Sequence, residues 1–142
     1  MITIPKEQFA VIKKSVSLSQ YEEACGLFLG HGSLPNSIAV STVVPCMNIV
    51  EKERHRRFEI DPVVRLRLER STRNLSTGIV GHYHSHPGGN AVPSKFDLES
   101  AYEPNLFWLI LGSLDGNIVD IGAWGLDKDQ KTFKSLKLSI LS

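Results

Sequence analysis

The chain is poor in cysteine: Cys25 and Cys46 are the only two among 142 residues. Two thiols are too few for a disulfide scaffold or for a zinc site of their own, and without an export signal they are expected to stay reduced. Long apolar runs are missing as well. No stretch reaches the ~20 residues of a membrane-spanning helix. The first residues, Met1-Ile2-Thr3-Ile4-Pro5-Lys6-Glu7, have neither the basic start nor the apolar segment of a signal peptide. A cytoplasmic protein with no membrane partner is the expectation. Excess charge of one sign is also absent, with 16 Lys and Arg against 15 Asp and Glu. Such a balance gives no field to attract a polyanion, which argues against a nucleic-acid partner. There is no internal repeat, linker or low-complexity segment.

What remains is an ordinary globular composition, 42% hydrophobic and 22% charged, long enough to bury one core without disulfides. One domain over residues 1–142 is expected. Pro5 followed by Phe9, Ile12 and Val16 predicts an amphipathic helix over 5–18. The apolar run 24–30 reads as a buried strand that turns over 31–36 and returns as a hairpin partner over 38–44. The charge run 51–57 reads as a solvated loop and 58–60 as a short strand. Asp61 as cap and Pro62 in the first turn start a helix with an apolar side of Val63, Val64, Leu66 and Leu68, ending near 74–78. Strands are expected over 79–86, 106–112 and 118–126, the last two joined at Asp115-Gly116, with a short helix over 94–101 and a final strand over 133–141. Strands outnumber helices, so the class is α+β with a mixed or antiparallel sheet.

The chemistry concentrates in His82-Tyr83-His84-Ser85-His86-Pro87. Residues two apart in a strand share a face, so His84 and His86 converge where Pro87 frees the chain from the sheet. His82 shares that face one step deeper and is expected to pack or hydrogen-bond. Ser94-Lys95-Phe96-Asp97 follows a Gly-rich loop, and in it Ser94 caps a helix whose first turn contains Asp97. That loop is short enough to bring the Asp97 carboxylate to the two imidazoles. Two His and one carboxylate leave a fourth tetrahedral position open, the mark of a catalytic zinc site. Proton transfer there needs a general base, for which Glu22 and Glu23 are both candidates.

His84-x-His86-Pro87, six residues, then Ser94-x-x-Asp97 resembles the signature of the JAMM (MPN-plus) zinc metallopeptidases. The stretch Glu23-Ala24-Cys25-Gly26-Leu27 is similar to the upstream E-x-C-G-L of their prokaryotic, stand-alone members, and the likeness runs on through Phe58-x-x-Asp61-Pro62 to Ala123-Trp124. The resemblance implies the MPN/JAMM fold, a curved sheet flanked by helices of the cytidine-deaminase-like kind. It implies Zn²⁺ held by His84, His86 and Asp97, with Glu23 rather than Glu22 as general base and Ser94 stabilising the oxyanion. It also implies a protein or peptide substrate, cleaved at a peptide or isopeptide bond in the C-terminal tail of a ubiquitin-like or sulfur-carrier protein. The rim near Asn48 to Arg57 is a place for such a tail to add as a strand, with Arg54, Arg56 or Arg57 meeting acidic groups. The competing readings are a non-catalytic MPN-type interaction module with a structural or absent metal, and a zinc deaminase. The deaminase lacks its Pro-Cys-x-x-Cys segment here.

Overall fold

The computed structural model describes residues 1–127, 129 and 131–142. In chain order the elements are β1 (Ile2–Pro5), α1 (Lys6–Ser17), β2 (Cys25–His31), β3 (Ile38–Cys46), α2 (Pro62–Thr72), β4 (Gly78–His86), α3 (Lys95–Ser100), β5 (Phe107–Leu114), β6 (Asn117–Asp127), β7 (Thr132–Leu136) and β8 (Leu138–Leu141). The strands form one sheet in the order β7-β6-β5-β4-β2-β3-β1-β8. β4 runs parallel to β5, and β1 runs parallel to both β3 and β8, while the remaining pairs are antiparallel. The protein is therefore α+β with a mixed sheet and flanking helices.

Strands β7 and β8 hold opposite ends of that order, yet Lys137 alone separates them. Two residue steps span at most ~7 Å, so the sheet must curl until its ends meet. Ile2 N–H donates to the Lys137 carbonyl at 2.8 Å beside this seam. Helix α1 lies across it, touching β1, β3, β6 and β8, with Ile12 and Val16 fully buried. Inside the curl Phe28 stacks on Phe107 with ring centroids 5.0 Å apart and tilts against Tyr83 at 5.5 Å.

Several expectations are corrected. The helix expected over 5–18 begins at Lys6, because Pro5 ends strand β1, in which Ile2 and Ile4 alternate into the core at 0% exposure between two parallel neighbours. The single strand expected over 133–141 is two strands, broken at Lys137, which serve opposite ends of the sheet. The segment 58–60 makes one isolated bridge, Asn48 with Ile60, and no ladder. Helix α2 stops at Thr72, and its expected apolar side stays half in water, with Val63 50% and Leu66 46% exposed. A bidentate ion pair from Arg65 to Glu103 anchors it instead. The Asp115-Gly116 turn is as expected, both residues taking positive φ between β5 and β6. No helix among the described residues is long and apolar enough to cross a membrane.

Gly26 has a steric reason to be glycine. A Cβ there would lie 2.3 Å from Cε1 of Tyr83, whose hydroxyl is fixed by Ser15 Oγ at 2.9 Å. Gly26→Ala forces the ring aside and is expected to destabilise the protein by about 1–3 kcal/mol. Denaturant unfolding checks this, and an unchanged midpoint would show that Tyr83 yields freely.

Candidate active site

The pairing of β2 with β4 builds the site. It sets Cys25 opposite His84, and one step further out Ala24 meets Ser85: Ala24 N–H donates to Ser85 Oγ at 2.8 Å and Ser85 N–H to the Ala24 carbonyl at 2.9 Å. Glu23 is thereby brought to the end of β4, where alternation turns His84 and His86 to one face. Glu22, its neighbour, is exposed, whereas Glu23 is 2% exposed. One ligating atom each from Glu23, His84 and His86 lie within 4.8 Å of one another.

Asp97 arrives from the other side, on α3. Ser94 Oγ accepts the Asp97 backbone N–H at 3.0 Å, and the Asp97 carboxylate accepts the Ser94 N–H at 2.9 Å, closing a capping box. The same carboxylate oxygen, Oδ2, stands 3.2 Å from Nε2 of both His84 and His86, and those two nitrogens are 3.1 Å apart. Three donor atoms thus form a nearly equilateral triangle. Ligands ~2.0–2.1 Å from a tetrahedral zinc lie about 3.3–3.4 Å apart, so this triangle fits a small divalent cation with little adjustment. The His86 tautomer agrees: its Nδ1 lies 2.8 Å from the Asn90 carbonyl, which can only accept, so the ring proton sits on Nδ1 and the lone pair on Nε2. Oε1 of Glu23 is buried without a hydrogen-bond partner among the described residues, a further oxygen suited to a water at the centre.

The electrostatics favour a cation. Burial pushes the Glu23 carboxyl up to about 8, with Asp97 adding to the rise and His86 opposing it. Burial also works to raise Asp97, but the imidazoles of His84 and His86 and the Ser94 N–H outweigh it and hold this carboxylate below its usual range. His84 is pushed down by burial and so kept neutral, as a metal ligand must be. At His86 burial is outweighed by Asp97 and Glu23, which push it up.

Around the triangle, Phe58 stacks on His84 at 4.4 Å, and His82 packs edge-on against Trp108 at 4.4 Å. Both Phe58 and His82 line a cavity of about 340 Å³ whose apolar wall includes Leu27, Ile60, Leu106 and Trp108. Cys25 is buried in the core and, like Cys46, is a free thiol, and burial pushes it up to about 12, leaving no nucleophile. Arg56 and Arg57 both pair with Glu53, Arg57 lies over the Phe96 ring at 4.1 Å, and Arg54 Nε donates to the Val50 carbonyl. All three arginines make contacts within the rim, while the Arg56 side chain stays 62% exposed. Sequence reasoning did not place Phe58, Ser85 and Asn90 in the site, although Phe58 stood in the stretch that resembles the family and Ser85 stands between the two histidines.

Residues 5–127 match the family of prokaryotic homologues of the JAB domain. A desampylase of Haloferax volcanii is 31% identical over 68% of this chain, a stretch that covers 66% of that protein. Solution structures of proteins from Desulfitobacterium hafniense (TM-score 0.82, 26% identity, 99% of this chain and 92% of that one) and Salinibacter ruber (0.72, 24%, 100% and 92%) share the fold. So does a JAB1/MPN domain protein of Archaeoglobus fulgidus, with TM-score 0.63 at 11% identity over 100% of both chains.

The donor triangle makes a direct prediction. The purified protein should bind about one zinc per chain, and His84→Ala or His86→Ala should abolish that stoichiometry in native mass spectrometry. A chelator should strip the metal without unfolding the chain, because the core lies elsewhere. Cooperative unfolding on chelation would make the metal structural.

Proposed function

The chain belongs to the family of prokaryotic homologues of the JAB domain, and from that premise we propose that it is a zinc-dependent peptidase or isopeptidase. Its substrate in this reading is the C-terminal tail of a ubiquitin-like protein, of the small sulfur-carrier kind. The observation that carries the reading is the convergence of three donor atoms beside a buried carboxylate, Glu23, that is in no ion pair among the described residues. The relative's name, desampylase, supports removal of a protein modifier.

His84, His86 and Asp97 would hold the metal. Zinc bound there supplies a Lewis acid that polarises the scissile carbonyl and lowers the pKa of water to about 7. Glu23 takes the proton from the attacking water and returns it to the departing amine. A carboxyl raised by burial to about 8, and lowered again by a neighbouring cation, is suited to do both near neutral pH. The Ser94 hydroxyl spends its oxygen on the Asp97 N–H, so its own proton remains to donate to the developing oxyanion. The cavity beside His84 takes an apolar side chain of the tail, and the rim between β3 and α2 is where an extended tail lies.

Two substitutions separate the roles. Glu23→Gln should keep the zinc yet lower hydrolysis of a C-terminally extended ubiquitin-fold carrier by at least ~10²-fold, as loss of a general base does. Asp97→Asn should instead weaken zinc itself, a neutral amide being a poor ligand. Metal content and product masses measured on the same preparations decide between them. A Glu23→Gln protein with full turnover would sink the mechanism, and a zinc-loaded wild type inert on every carrier would favour an interaction module.

A further inference from the structure

Glu23 lies two residues before β2 begins, and its own main-chain groups are held by the rim. Its N–H donates to the Arg54 carbonyl at 2.7 Å, and its carbonyl accepts from Asn48 Nδ2 at 3.1 Å. Ala24, one residue on, bonds Ser85 of β4 with both of its groups. The Asn48 side chain is fully engaged. Nδ2 also donates to the Arg57 carbonyl at 2.9 Å, while Oδ1 accepts from Val50 N–H at 3.2 Å and Glu59 N–H at 3.0 Å. A side-chain amide offers two donor hydrogens and one doubly accepting oxygen, and here all of that capacity goes to backbone. The amide orientation is fixed by its partners, since a flipped group would aim its oxygen at two carbonyls. Apart from Glu23, every partner lies in 50–59, the segment that seats Phe58 on His84.

We propose that Asn48 is a positioning residue that ties the rim, residues 49–59, to the backbone of Glu23, so that the rim and the base shift as one unit. The four side-chain bonds of Asn48 go to Glu23, Arg57, Val50 and Glu59 rather than to the candidate ligands His84, His86 and Asp97, so the linkage acts on Glu23 and leaves the metal triangle alone. A tail lying on the rim presses on the same hydrogen bonds that aim the carboxylate. The catalytic half of this inference rests on the role proposed for Glu23, whereas the mechanical half does not.

Asn48→Ala removes all four bonds. Asn48→Asp retains the acceptor for Val50 and Glu59 but sets a second oxygen against the Glu23 and Arg57 carbonyls. Amide hydrogen exchange of the zinc-loaded full chain reads the linkage without a substrate. In Asn48→Ala, exchange at Glu23, Val50 and Glu59 should rise about tenfold or more while His84 and Ser85 stay protected, at unchanged zinc content. In Asn48→Asp, Glu23 should loosen and Val50 and Glu59 should not. With a C-terminally extended ubiquitin-fold carrier, kcat should fall at least about tenfold in both variants, and KM should rise in Asn48→Ala alone. That split is not expected if Asn48 merely stabilises the fold. Wild-type exchange at Glu23 in both variants, or loosening that spreads to His84 and Ser85, overturns the proposal. The expected exchange pattern in a protein inert toward every carrier supports the linkage and refutes the function proposed for the site.

Discussion

Everything in the site depends on how β2 is registered against β4. Cys25 lies opposite His84, and the Ala24–Ser85 exchange of hydrogen bonds closes the pair one step further out. A slip of one residue would turn the histidines to the other face and carry Glu23 away from them. Register of this kind is held by burial rather than by the site's own attractions. Leu27 and Phe28 fill the core and Gly26 admits the Tyr83 ring, so the costs of misalignment fall on apolar groups far more numerous than the polar ones they position.

Asp97 joins two purposes in one carboxylate. Its Oδ2 completes the capping box of a helix only six residues long, and it faces both imidazoles. A helix so short has little stability of its own. Capping therefore fixes the backbone at the point where the carboxylate must be aimed, and a cation bound by that oxygen would in turn hold the helix start.

Local signals made much of this legible. Alternation placed His84 and His86 on one face, the Ser94 cap and Asp97 announced α3, and Asp115-Gly116 announced its hairpin. The choice of Glu23 over Glu22 came from likeness to a family, since two adjacent acids carry no periodicity, and burial now distinguishes them. What stayed hidden was non-local. Nothing near Lys137 reveals that five residues before it and four after it serve opposite ends of one sheet, because that break follows from closure. The bond of Asn48 to Glu23 reaches 25 residues back along the chain, beyond any pattern that periodicity detects. The half-exposed apolar side of α2 misled for the same reason: its spacing promised a core, but an ion pair to Glu103 took the place of burial.

The closed curl of the sheet has a colloidal consequence. Open sheets display rows of unpaired N–H and C=O groups at their margins, and these recruit strands from other molecules. Here the margins are β7 and β8, five and four residues long, and they come together at Lys137 under a helix that spans the seam. Little template is left for edge-to-edge growth into aggregates. The unpaired strand backbone that the sheet offers to another molecule is limited to the outer sides of these two short strands.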